Sequence, residues 1–171
     1  MNQKILSAVE RAMELSPAFA RKAAGAFLRV ASPFNAPLHA DVEDWTPTRC
    51  RIRVPNRRPL HNHLRGIHAC ALATAGETAA GLMLLRTFPF SRYRLILKDL
   101  SITFERQART DLVAEAGQAT EDVARVQAGL DRGEAQLVPL VTRIREPSGE
   151  ALAEVRTTWQ VKAWSQVRSR G

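Results

Sequence analysis

Between residues 48 and 55 the chain reads TRCRIRVP, with Arg49, Arg51 and Arg53 alternating strictly with Cys50, Ile52 and Val54. A period of two predicts a half-buried antiparallel strand. The preceding LHADVEDW, joined to it through Thr46 and Pro47, is its predicted hairpin partner. In LKDLSITFE, Leu100, Ile102 and Phe104 alternate with Asp99, Ser101, Thr103 and Glu105, so a further strand with one buried and one exposed or half-exposed face is expected. DLVAEAGQAT adds another strand candidate, and two last strands, over 134–146 and 150–164, flank the turn signal EPSGE. Pro139 has no backbone donor and so predicts an edge or a bulge in the first of these two.

Elsewhere the period is helical. Residues 2–31 read as two short helices: Ile5, Val9, Ala12 and Met13 recur at helical spacing in the first, and Phe19, Ala23, Phe27 and Leu28 in the second. Ser16 is placed to cap the second helix and Pro17 to occupy its first turn. A helical arm packed on the domain is the favoured reading of this amphipathic, basic stretch, ahead of contact with a membrane surface. EDVARVQAGLD predicts a short helix over 121–131 that bridges two strands. Between the strands lies one long stretch, 67–86, that is apolar almost all round and follows the basic loop NRRPLHNHLRG. About six strands joined mostly by short turns, with one such helix, predict an α+β domain in which an antiparallel sheet wraps the helix. The division expected is a helical arm over 1–34 and the wrapped-helix domain over 35–171.

Within that central helix a single carboxylate is out of place. At the spacings that share a helix face, Glu77 has Ala73, Thr74, Ala80 and Gly81 one turn away, and Cys70 and Leu84 two turns away. It is therefore expected to be buried or in a cleft, with its pKa raised by desolvation, as suits a base or nucleophile; a carboxylate buried against an Arg is the alternative. At the start of the same helix, Gly66 would let the backbone turn and approach a ligand. The first helical N–H groups, with the positive end of the helix dipole, would favour a developing oxyanion there. From His68 to Glu77 is nine residues, about 13.5 Å of rise and about 180° of rotation, so one helix cannot present both to the same carbonyl. If both act on one bond, one comes from a second subunit, and a two-fold axis beside antiparallel central helices would generate two equal sites. Gly76, Ala80 and Gly81 would permit that close approach.

Length and charge narrow the remaining choices. The 171 residues suit a single core without disulfides or metals. Cys50 and Cys70 fit neither a metal-ligand spacing nor a secreted disulfide framework, so a reducing, cytoplasmic setting is expected. Cys70 is read as a small core residue, and His61 and His63 as solvent-facing loop residues. His68 is read as a helix-start residue with its hydrogen bond satisfied, ahead of a general base. No charge-free apolar run is long enough for a membrane span. The net charge of +8 and the pI near 10.7 favour an anionic partner or ligand. The charge is dispersed over isolated Arg residues with little aromatic interleaving, which disfavours nucleic acid.

Asn62, Gly66, His68 and Glu77, in the run N-x-x-x-G-x-H-A-x-x-x-x-x-x-x-E, resemble the hotdog-fold thioesterases of the phenylacetate-pathway and 4-hydroxybenzoyl-CoA type. GIHACALATAGETAAGL followed by YRLILKDLSITFERQART is similar to the DUF4442 branch of that superfamily, over about residues 35–163. The resemblance implies a hotdog fold, in which an antiparallel sheet wraps a long central helix and subunits pair, with a tetramer left open. It implies an acyl-CoA or related acyl thioester hydrolase in which Glu77 activates water or attacks the thioester. The N–H groups around His68 and Ala69 would form the oxyanion hole, Asn62 would position the carbonyl, and Gly66 would shape the loop. Leu97 stands where relatives often carry an assisting Ser or Thr, and His68-Ala69-Cys70 where they carry His-Gly-Gly. Arg106 and Arg109 in FERQART are candidate contacts for the phosphates of coenzyme A, which would enter as part of the substrate, with no other cofactor and no metal. A non-catalytic acyl-CoA-binding protein of the same fold is the rival reading.

Overall fold

The structure is a computed structural model and describes residues 17–167. The first predicted helix, the Ser16 cap and the side chain of Phe27 lie outside the described residues. Helix α1 spans Pro17–Ala31, with Pro17 at its first position as the sequence predicts. A short 3-10 turn, Pro33–Leu38, leads into the hairpin β1 (Asp41–Trp45) and β2 (Arg49–Val54). The central helix α2 covers Ala69–Thr87. Strands β3 (Tyr93–Phe104) and β4 (Leu112–Gly117) follow, then helix α3 (Thr120–Asp131), and finally β5 (Gln136–Arg145) and β6 (Ala151–Ala163).

The six strands form one antiparallel sheet in the order β1-β2-β4-β5-β6-β3, and α2 touches every one of them. The arrangement follows from the sequence pattern. Cys50, Ile52 and Val54 are fully buried beneath α2, while Arg49, Arg51 and Arg53 stay on the outer face, where Glu43, Asp44 and Asp111 pair with them. Two side chains tie the helix to the sheet. Trp45 Nε1 donates to the Leu82 carbonyl at 2.7 Å, and Thr142 Oγ1 donates to the Gly76 carbonyl at 3.1 Å. Pro139 sits on a local edge: β5 pairs with β6 there, but its ladder with β4 ends at Val141 opposite Gly117.

Four expectations are corrected by packing. In α1 the buried stripe is Ala20, Ala24 and Leu28, at a spacing of four, whereas Phe19 is exposed. The small residues let the helix lie close on β1, and its buried side chains join the core that surrounds α2. Cys70 is exposed and not a core residue, because it lies on the same incompletely covered stripe of α2 as Ala73, Thr74 and Glu77. His61 is half-buried, with Nε2 2.6 Å from Asn56 Oδ1. Gly76 and Ala80 face the sheet and are buried, so neither is open to a second helix.

A Cβ on Gly76 would fall 2.5 Å from Val155 Cγ2 and 2.7 Å from its Cβ, a rigid branched partner in a closed core. Gly76→Ala is expected to lower stability by about 1–3 kcal/mol despite its better helix propensity. Urea unfolding checks this, and an unchanged midpoint would mean that the helix can lift from β6 at no cost.

The inner face of β3 is covered only in part. A bulge between Leu97 and Asp99 keeps Leu100, Ile102 and Phe104 on the same face as Leu95 and Leu97, so the predicted alternation is present. As β3 is the edge strand and runs past the cover of α2, Leu100 remains 37% and Phe104 49% exposed. An apolar strip on an unpaired edge is therefore left open beside the central helix. Among the described residues no helix is long and apolar enough to cross a membrane.

Candidate active site

The sheet covers α2 on most sides and leaves one stripe open: Cys70, Ala73, Thr74, Glu77 and Gly81, at spacings of three and four. Glu77 is the sole charged group on this stripe. Two hollows flank it, one of about 350 Å³ that Phe34, Ala73 and Leu100 also line, and a more apolar one of about 160 Å³ formed with Leu28, Leu82, Phe90 and Trp159. Burial is the larger influence on the carboxyl and pushes its pKa above the ordinary carboxylate value, while the adjacent Thr78 hydroxyl pulls it back slightly. That hydroxyl makes no hydrogen bond of proper geometry; its Oγ1 is buried without a partner. Among the described residues no Arg or Lys pairs with Glu77.

The start of α2 is built by the loop before it. Asn62 Oδ1 accepts from the N–H groups of Leu64 at 2.9 Å and Gly66 at 3.1 Å, while the Asn62 N–H donates to the Gly66 carbonyl at 2.8 Å. The oxygen of Asn62 is thus committed to the loop, and Nδ2 is the group left to meet a carbonyl. Arg65, and not Gly66, takes the left-handed conformation, with φ of 61°. Gly66 is required for a different reason: a Cβ there would lie 2.8 Å from Gln107 Cγ and 2.9 Å from the Ala108 carbonyl. It lets the loop close on residues of its own chain.

His68 caps α2, its Nδ1 accepting the Cys70 N–H at 3.1 Å, which agrees with the helix-start role expected of it. Its own N–H donates to the Leu60 carbonyl at 2.8 Å. Of the amides around His68 and Ala69, that of Ala69 alone has no partner among the described residues. Ala69 lines a groove of about 310 Å³ together with Asn62, Phe104 and Arg106. Arg106 stands at this groove in an exposed ion pair with Glu150 at 2.6 Å, which solvent makes weak and easily exchanged. Arg109 is turned to Gln107 Oε1, at 2.9 and 3.1 Å, and does not line the groove.

The groove at Ala69 and the hollows at Glu77 share no lining residue. On one chain, therefore, the structure does not bring the carboxylate and the free amide together. Sequence reasoning missed Ser32, Phe34, Asn35 and Leu100, which wall in Glu77 from the end of α1, the 3-10 turn after it and the edge strand. A larger surface hollow, about 800 Å³, lies on the outer sheet face among charges of both signs, including Arg51, Glu115, Asp122 and Arg143, away from every candidate residue. Among the described residues no three His, Cys, Asp or Glu side chains are grouped so as to hold a metal ion.

The family model described as a domain of unknown function, DUF4442, matches residues 20–161. The chain belongs to the DUF4442 family. The match begins within α1, ahead of residue 35, where the resemblance read from the sequence started. No functionally curated protein matches the chain. Among solved structures, the chain is similar to PA5026 from Pseudomonas aeruginosa, a protein of unknown function named a probable thioesterase. The TM-score is 0.75 at 24% identity, over 83% of this chain and 95% of that one. A protein of unknown function from Chlorobaculum tepidum aligns with a TM-score of 0.74 at 14% identity, over 86% and 97% of the two chains. A mutant of the thioesterase PA1618 from Pseudomonas aeruginosa aligns at 0.67 and 13% identity, over 84% and 94%. This DUF4442 protein therefore has the hotdog fold that its sequence resemblance implied.

Proposed function

We propose that this protein hydrolyses acyl-CoA or a related acyl thioester, acting as a homodimer with Glu77 as the reactive carboxylate. The observation that carries the reading is Glu77 itself: largely buried, with its pKa raised, unpaired with any described cation, and open to two hollows, one of them mainly apolar. A group arranged only for stability would be expected to have a cationic partner, since an unpaired buried carboxylate is costly. The names of the structural neighbours PA5026 and PA1618 point the same way.

In the reaction proposed, a water oxygen attacks the thioester carbon and its proton passes to the Glu77 carboxylate. The Ala69 N–H of the other subunit, at the positive end of α2, receives the oxyanion, and Asn62 Nδ2 orients the carbonyl. Collapse breaks the C–S bond, and the proton held by Glu77 passes to the departing thiolate. Direct attack by the carboxylate would reach the same products through an anhydride. Arg106 is placed to meet the phosphates of coenzyme A at the groove, and no other cofactor is used. The open strip of Leu100 and Phe104 borders both the Glu77 hollow and the Ala69 groove, so a subunit that covers it would also join them.

The test is release of free thiol from a panel of aryl-, short-chain and long-chain acyl-CoAs. Turnover of at least one of them is expected. Absence of turnover with retained acyl-CoA binding would assign instead the non-catalytic binding role, which is favoured by Ala69 alone having a free amide among the described residues at the start of α2.

A further inference from the structure

A carboxylate that activates water must share that water with other polar groups, because an ordered water in a largely buried site needs two to four partners. The side chains that line the two hollows at Glu77 are mostly aliphatic or aromatic. The polar exceptions can be taken in turn. Thr74 already donates its hydroxyl to the Cys70 carbonyl at 2.7 Å. Thr78 Oγ1 and Trp159 Nε1 are buried beyond the reach of solvent. Ser32 and Asn35 remain, both half-buried and both lining each of the two hollows with Glu77. The Ser32 side chain does not cap the 3-10 turn it precedes, and neither side chain has a hydrogen-bond partner among the described residues.

We propose that Ser32 and Asn35, carried on the turn between α1 and β1, are positioning residues that hold the attacking water on the Glu77 carboxylate. This rests on the hydrolase reading above and adds to it the residues that complete the water site. A hydroxyl and an amide both donate and accept, so together they can fill one lone pair and take the second proton of a water whose first proton points to Glu77, which leaves its other lone pair to attack the thioester carbon. Their placement depends on the backbone: the Asn35 N–H donates to the Ser32 carbonyl at 2.9 Å, closing the turn. That turn continues from α1, whose Ala20, Ala24 and Leu28 are anchored in the core. Helix α1 thereby becomes part of the site, because it sets where the water is held.

Thiol release by Ser32→Ala, Asn35→Ala and the double variant is the test, on the acyl-CoA that the native protein turns over best. Each single change is expected to lower kcat about tenfold and the double change about a hundredfold, with KM within about twofold, since these groups bind water and not the acyl chain. Ser32→Thr, which keeps the hydroxyl, should recover most of the kcat lost in Ser32→Ala. An unchanged melting temperature in the variants separates this outcome from unfolding. If the double variant keeps native kcat while Glu77→Gln abolishes it, the water site is overturned and the hydrolase reading stands. If Glu77→Gln keeps native activity, or the native protein hydrolyses no acyl-CoA, the reading beneath both is overturned.

Discussion

Glu77→Gln is expected to reduce thioester hydrolysis by about 10²–10⁴-fold in kcat while leaving the fold intact, because glutamine has the same shape and cannot take the proton of water. The raised pKa supplies a second, independent readout. Burial holds the folded-state pKa of Glu77 above its ordinary value, so the native state binds this proton more tightly than the unfolded chain does. The sign follows: the carboxyl favours folding most at pH values below its unfolded pKa, and that contribution is lost as pH rises through the folded pKa. At neutral pH the ionised group is a burden on stability. The glutamine variant should therefore melt at the native temperature or higher near pH 7, and lose that advantage as the pH is lowered toward the ordinary carboxylate range.

The same shift fixes the acid limb of kcat/KM. Activity should rise with pH through an inflection above the usual glutamate value, since only the ionised carboxylate can act as base. A variant that lost activity and also melted well below the native protein at pH 7 would mark Glu77 as a structural carboxylate. Activity unaffected by the substitution would remove it from the mechanism.

The parts of this site that were legible in the sequence are those written in local spacing. The strict alternation in TRCRIRVP gave β2 and its two faces, and the isolation of Glu77 among small residues placed it in a cleft. The nine-residue step from His68 predicted that helix start and carboxylate would be apart on one chain, and their separate hollows agree. What was not legible depends on which face meets which partner. Gly76 reads equally well as a contact for a second helix or for a strand, and Val155 on β6 decides the matter from far along the chain. In α1 the apolar positions suggested Phe19, yet close approach to β1 selects the small residues Ala20 and Ala24. Ser32 and Asn35 carry no spacing signal toward Glu77, because only the docking of α1 brings their turn beside α2. The free amide could be narrowed from the region of His68 and Ala69 to Ala69 alone only once the Leu60 carbonyl was seen to accept the His68 N–H.

Ala69→Pro is expected to lower kcat by about 10²–10³-fold, the usual effect of removing one oxyanion donor, with little change in stability. The substitution suits the position in every other respect. Ala69 is the first residue of α2, where proline is favoured and its missing N–H breaks no internal bond. His68 before it has φ of −66° and ψ of 142°, an extended conformation that a following proline accepts. The side chain at 69 is exposed, so the ring has room. Combined with Glu77→Gln, this change tests the shared site directly. If the carboxylate of one subunit works with the amide of the other, each variant alone is inactive. A mixed dimer, however, contains one intact site, with Glu77 from the Ala69→Pro subunit and the free amide from the Glu77→Gln subunit. Unfolding and refolding the two together in equal amounts should then restore about a quarter of native activity, since about half the dimers are mixed and half their sites are whole. If each site belonged to a single subunit, every site in the mixture would carry one defect and activity would stay at the level of the separate variants. Recovery also requires that the subunits pair, so a mixture that remains monomeric by solution mass would defeat the shared site before any kinetic measurement is made.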